Sequence, residues 1–258
     1  MTIDAIVTAG GVPKIGEPLY PLTQGKSKAL LEINGKPMIQ WVLDSLSKSP
    51  SIGNVVVMGL DESSGVTCEK PLFFMPSQGS MVDNILGGAK RLQTINPAIR
   101  YMLIVSSDIP TLTSEMVEWL VQTITASDHD VYYGVITRDT MEARFPGSKR
   151  SYTHLKDMVI CGADINAVQM SAITSNYELW SALIEARKNA FKQASLIGWG
   201  TLLLLLLRQL TLDGVVQRVG SRLGLRGRAL VCPYAEMGMD VDKPAQFEML
   251  NAALRAKA

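Results

Sequence analysis

An apolar run, Ala5-Ile6-Val7, that ends at Gly10-Gly11 constrains this chain more than any other feature. A short continuous apolar run bounded by glycine reads as a buried strand of a sheet covered on both faces. Two glycines at a strand end let the backbone approach a ligand closely and turn N–H groups toward phosphate oxygens. Lys14 and Lys28 bracket the Pro- and Gly-rich loop that follows, and Gly35-Lys36-Pro37 turns the chain into a helix. Loop amides for phosphate oxygens and two cations for charge developing during transfer suit a nucleoside triphosphate attacked at its α-phosphorus.

Two similar patterns are excluded. Gly25-Lys26-Ser27 lacks the P-loop glycine five residues earlier, where Tyr20 stands. No G-x-G-x-x-G follows the first strand, so nothing marks a Rossmann dinucleotide site.

The segment 6–39 resembles the signature of GT-A-type nucleotidyltransferases, the group of sugar-nucleotide pyrophosphorylases and molybdenum-cofactor nucleotidyltransferases (MobA-like NTP transferases). The loop Ala9-Gly10-Gly11, then Pro21-Leu22-Thr23, Lys28, and Gly35-Lys36-Pro37-Met38-Ile39 fall in the family's order. The family usually carries an arginine in the loop after the glycines. Lys14 keeps that charge but loses the bidentate fork. The resemblance implies a three-layer α/β fold, Mg²⁺ as cofactor, and an NTP and a phosphorylated small molecule as partners.

Elsewhere, strand-like runs alternate with helical periodicity, as expected of a mostly parallel sheet covered by helices. A helix beginning at Pro37 would bury Met38, Ile39, Val42, Leu43 and Leu46 on one face. Strands are expected at 54–59, 72–75, 101–106, 131–136, 158–161 and 229–232. A helix is expected at 81–92, another after Thr113, and a last one after Pro244. Residues 176–227 read as a helical insertion in one domain spanning 1–258. Within it, the run 202–207 is six leucines, apolar on every face. Such a helix is buried, forms a dimer interface, or touches a membrane peripherally, with Lys188, Lys192 and Arg208 nearby. It is far short of the roughly 20 residues a spanning helix needs.

Ser106-Ser107-Asp108 follows the central strand, and a carboxylate at the C-terminal end of a parallel strand points into the ligand crevice of an α/β fold. Asp108 either begins the turn made by Pro110 or serves as a hard oxygen ligand for Mg²⁺. The resemblance implies the metal role. Asp240 and Asp242, at i and i+2 on an extended segment, point to one side. They resemble the D-x-D-T-P element of the molybdenum-cofactor branch, with Lys243 replacing threonine, so Asp242 is expected to complete the metal site. Asp242 would equally cap the helix after Pro244. Ser77-Gln78-Gly79-Ser80 resembles the base-reading segment, with Gln78, Gly79 and Ser80 against the nucleotide. Lys149, Arg150, Tyr152 and His154 form a basic-aromatic cluster that is either an acceptor-phosphate grip or a solvated loop. Gly162-Ala163-Asp164 lies where related enzymes carry a Gly-Asn pair facing the acceptor.

Lysine plus arginine number 25 against 24 acidic residues, so no strong field invites nucleic acid. Cys68, Cys161 and Cys232 form no C-x-x-C, and no secretory leader is read at the N-terminus. Together these fit a reducing, cytoplasmic setting. Two histidines leave little material for a Ser-His-Asp or His-metal mechanism. The expected chemistry is in-line attack by an acceptor phosphate on the α-phosphorus, with pyrophosphate leaving. Lys14 and Lys28 would hold phosphates and Asp108 with Asp242 the metal. A GT-A glycosyltransferase and a catalytically silent nucleotide-binding protein are the alternatives.

Overall fold

The computed structural model describes residues 2–175, 179, 180, 182 and 198–256. Its first half runs β1 (Ile3–Thr8), α1 (Tyr20–Thr23), β2 (Glu32–Ile33), β3 (Lys36–Pro37), α2 (Met38–Lys48), β4 (Ile52–Met58), β5 (Leu72–Met75), α3 (Met81–Ile95) and β6 (Tyr101–Ser106). Then follow α4 (Ser114–Thr125), β7 (Val131–Thr137), α5 (Arg138–Arg144), β8 (Thr153–His154), β9 (Val159–Gly162), β10 (Ile165–Gln169) and α6 (Met170–Thr174). The remainder is α7 (Trp199–Leu206), α8 (Leu212–Leu223), β11 (Gly227–Val231) and α9 (Pro244–Arg255).

Nine strands form one mixed sheet in the order β5-β4-β1-β6-β10-β7-β9-β8, with β11 paired to β7. Pairing is parallel from β5 through β6, and β10 then runs antiparallel between β6 and β7. This is the α/β architecture expected of the chain, with the parallel half holding the glycine loop.

Period-two alternation sorts the core. Ile3, Ala5 and Val7 of β1 face one helical layer, whereas Ile6 faces the other with Met58 and the α3 residues Ile85 and Ala89. On the first face, α2 buries Met38, Ile39, Val42, Leu43 and Leu46, as its 3.6-residue pattern requires. The helix starts at Met38 rather than Pro37, because Lys36 and Pro37 pair with Ile33 and Glu32 in a small hairpin.

Several short elements gave no pattern in the sequence: α1, β2, β3, α5, β8 and α6, and with them β10 just after Asp164. Within the insertion read at 176–227, residues 176–178, 181 and 183–197, with Lys188 and Lys192, lie outside the described residues. The described part is largely helical, as α7 and α8. Its leucine run divides: Leu205 points into a cleft, while Trp199, Leu203, Leu206 and Leu207 are exposed. Among the described residues, no helix is long and apolar enough to cross a membrane.

Candidate active site

The site forms where β1 and β6 end. Ala9, the residue after β1, is buried and donates its N–H to the Met58 carbonyl at 2.8 Å. The chain then leaves the sheet through Gly10 and Gly11. The return arm is stitched back to it, since the Lys28 N–H donates to the Gly11 carbonyl at 2.8 Å and Ser27 Oγ to the Ala9 carbonyl at 2.9 Å. Gly59 presses on this loop from β4. A Cβ there would lie 2.4 Å from Gly10 Cα, and its φ of +99° is one that glycine alone adopts freely. Sequence reading assigned 59 merely to a strand.

These stitches carry the Lys28 ammonium between two carboxylates. It forms an ion pair with Asp108 and donates to Asp242 Oδ1 at 2.8 Å. Asp108 is buried, and Ser106 Oγ donates to its other oxygen at 2.5 Å. The Val241 N–H donates to the Asp108 carbonyl at 3.1 Å, which ties the 240–242 segment to the end of β6. Burial works against the charge on Lys28, yet Asp108 and Asp242 outweigh it and hold the ammonium pKa above its ordinary value. Partial burial would raise Asp242 as well, but Lys28 holds that carboxyl below its ordinary value. Asp242 does not cap α9: Lys243 takes that position, and the Asp242 N–H donates to Gln246 Oε1 at 2.9 Å.

Asp240 joins the pair. One carboxylate oxygen from each of Asp108, Asp240 and Asp242 lies within 4.8 Å of the others. Asp240 is buried and bonded to Arg150, whose Nη2 also reaches Asp164 at 3.3 Å and the Gly162 carbonyl at 3.2 Å. Burial, then the neighbouring Asp164, push the Asp240 carboxyl above its ordinary range despite Arg150. The surrounding charge adds to the effect of burial. Four carboxylates (Asp108, Asp164, Asp240, Asp242) face two cations (Lys28, Arg150), leaving a formal excess of two negative charges. Three convergent carboxylates with that excess fit a hard divalent cation such as Mg²⁺.

The remaining predicted residues are distributed unevenly. Gln78, Gly79 and Ser80 are exposed at the start of α3, where Ser80 caps the helix by accepting from the Asp83 N–H. Their segment borders the glycine loop, since a Cβ on Gly10 would meet Ser77 Oγ at 3.3 Å. Asn84, which sequence reading missed, buries its side chain here and accepts the Gln78 N–H at 2.7 Å. A lone polar residue on the apolar face of α3 was the available signal. Lys14 is exposed in the loop and does not join the carboxylates; its own N–H donates to Glu17. A cleft of about 360 Å³ lies between that loop and the pair Lys28–Asp242. Lys149 is exposed with φ of +54°, whereas Arg150 turns inward.

The MobA-like NTP transferase domain model matches residues 5–196. The chain belongs to that family. Among solved structures it is similar to a hypothetical transferase from Thermus thermophilus, at 30% identity and a TM-score of 0.82, over 96% of this chain and 100% of the other. It also shares the fold of a CMP:2-keto-3-deoxy-manno-octonic acid synthetase complexed with CTP, at 16% identity and a TM-score of 0.65, over the full length of both. A 4-diphosphocytidyl-2C-methyl-D-erythritol synthase from Anaerococcus prevotii has 11% identity and a TM-score of 0.58, over 98% of this chain and 96% of that one. No curated protein matches the sequence. The family and fold place this chain among nucleotidyltransferases, with its carboxylate cluster at the strand ends where α/β folds bind ligands.

Proposed function

We propose that this NTP transferase moves a nucleoside monophosphate from an NTP to a phosphorylated small-molecule acceptor, releasing pyrophosphate, in a Mg²⁺-dependent reaction. The observation that carries the reading is the Lys28 ammonium held between Asp108 and Asp242 beside the Gly10-Gly11 loop. The bond formed joins an acceptor phosphate oxygen to the α-phosphorus; the bond broken is that to the β-phosphate bridging oxygen, whose electron pair leaves with pyrophosphate. An acceptor phosphate is already anionic, so no general base is required. Lys28, with its pKa held above the ordinary lysine value, stays charged at neutral pH. It therefore serves as a fixed positive partner for the α-phosphate and not as a proton donor. Asp108 and Asp242 would hold the metal with Asp240 behind them, and when bound the ion offsets phosphate charge.

Positioning supplies the rest. The Gly10-Gly11 backbone and the exposed Lys14 would take the departing phosphates, and Gln78, Gly79 and Ser80 the base. Arg150, Gly162 and Asp164 lie on the acceptor side, with Lys149 at its exposed edge. The chain acts as one nucleotidyltransferase domain carrying a helical insertion at 176–227. The test is pyrophosphate release from each NTP with a panel of phosphate monoesters and Mg²⁺. Release with one NTP and one acceptor class supports the reading. NTP binding without release for any acceptor would leave a silent nucleotide-binding protein instead.

A further inference from the structure

A second cavity, larger than the one beside Lys28, lies among the described residues. It is an apolar cleft of about 560 Å³ on the α3 face of the sheet, a volume usual for small-molecule sites. Its floor includes Ile104, Val135 and Val168, and its walls include Met81 of α3, Val219 of α8 and Leu205 of α7. Helix α3 covers the parallel half of that face and α8 the β11 edge, so the strands between them form the floor.

Two residues of its lining, Met81 and Gly162, adjoin the candidate site. Met81 directly follows Ser80 of the segment beside the glycine loop. Gly162 offers its carbonyl to Arg150, and Asp164 offers its own to the Ser106 N–H at 2.9 Å, two residues from Asp108. A Cβ at Gly162 would lie 2.5 Å from the hydroxyl of the half-exposed Tyr133, which also lines the cleft. An apolar chamber thus ends beside charged groups that would act on phosphate.

We infer that the acceptor is an amphiphile: a phosphate monoester whose hydrocarbon body lies in this cleft while its phosphate reaches the Lys28–Asp108 site. The inference rests on the transfer reading and narrows it, because a sugar phosphate would desolvate its hydroxyls against this lining without return. The exposed Trp199, Leu203 and Leu206 lie on the same helix, α7, as the cleft residue Leu205, and would give such a molecule an apolar approach.

The test uses ethyl, hexyl and decyl phosphate with Mg²⁺ and the four NTPs, reading kcat/KM for pyrophosphate release. Binding of each ester without NTP is read separately by tryptophan fluorescence. Burial of each methylene should raise kcat/KM by about three- to fourfold until the cleft is full. Val219→Trp, which fills the cleft, should flatten the decyl-to-ethyl ratio, and Val219→Ser should reduce its slope. Turnover with no dependence on chain length would overturn the inference and leave the transfer reading standing. Chain-length-dependent binding without pyrophosphate release from any ester would support the cleft and sink the transfer reading. A decyl-to-ethyl ratio that survives Val219→Trp would place the hydrocarbon elsewhere and overturn the proposal.

Discussion

The two halves of the sheet are built differently. From β5 to β6 the strands are parallel, packed on both faces, and end in glycine loops and carboxylates. From β10 to β8 the pairing is largely antiparallel, and one face carries an apolar cleft in place of tight packing. The first half presents backbone and charge, which suit the phosphates shared by every NTP. The second presents a shaped surface, which suits whatever distinguishes one acceptor from another. Under the proposed function, generic chemistry and individual specificity would fall to separate strands that meet at Asp108, Arg150 and Asp164.

Arg150 is the joint between the halves, and breaking it should have the largest effect. Arg150→Ala strands Asp240 and Asp164 in a buried setting, and loss of one partner of a buried ion pair costs about 3–5 kcal/mol. Chemical denaturation should show that loss, with Arg150→Lys restoring only part of it because the fork is gone. On the parallel side, Asp108→Asn and Lys28→Ala should each lower turnover by roughly 10²–10³ with the fold intact. Wild-type rates in either would remove that residue from the mechanism.

Smaller effects probe the frame. Gly59→Ala forces a Cβ against the Gly10 backbone at positive φ, so a loss of about 1–3 kcal/mol is expected, along with weaker nucleotide binding. Unchanged NTP affinity would separate the β4 turn from the loop. Glu118 gives the mildest effect. Burial would raise its carboxyl, but hydrogen bonds from Ser49 and Ser51 hold it below the ordinary 4.5. A depressed carboxyl stabilises the fold above that value, and the contribution is lost as pH falls through its folded value. Glu118→Gln should therefore flatten stability between about pH 5 and 3, by about 1 kcal/mol at most. An unchanged acid profile would contradict this.

Legibility in sequence follows the same division. Lys28 and Asp108 were readable because their signals are local: glycines after an apolar run, an aspartate after a strand. Asp242 was readable only through a short spaced motif. β10 was missed because its alternation, Ile165-Asn166-Ala167-Val168-Gln169, is brief and directly follows the bend at Gly162-Ala163-Asp164. Arg150 was noticed for its charge, but its main partner, Asp240, lies 90 residues away, and no spacing rule links them. Asn84 and Gly59 act through tertiary approach to the glycine loop, which no local pattern encodes. The apolar cleft arises from elements spread between 81 and 229, so it had no signature at all.

Thermal unfolding of wild type and Asp108→Asn with millimolar ATP, GTP, CTP or UTP, with and without Mg²⁺, tests the central claim most directly. A ligand at about 100 times its Kd stabilises by roughly 2.7 kcal/mol, a shift of several degrees for a chain of this size. The account predicts a Mg²⁺-dependent rise with one nucleotide, abolished in Asp108→Asn. No rise with any nucleotide, or an equal rise in the variant, would contradict a nucleotide site built on Lys28, Asp108 and Asp242.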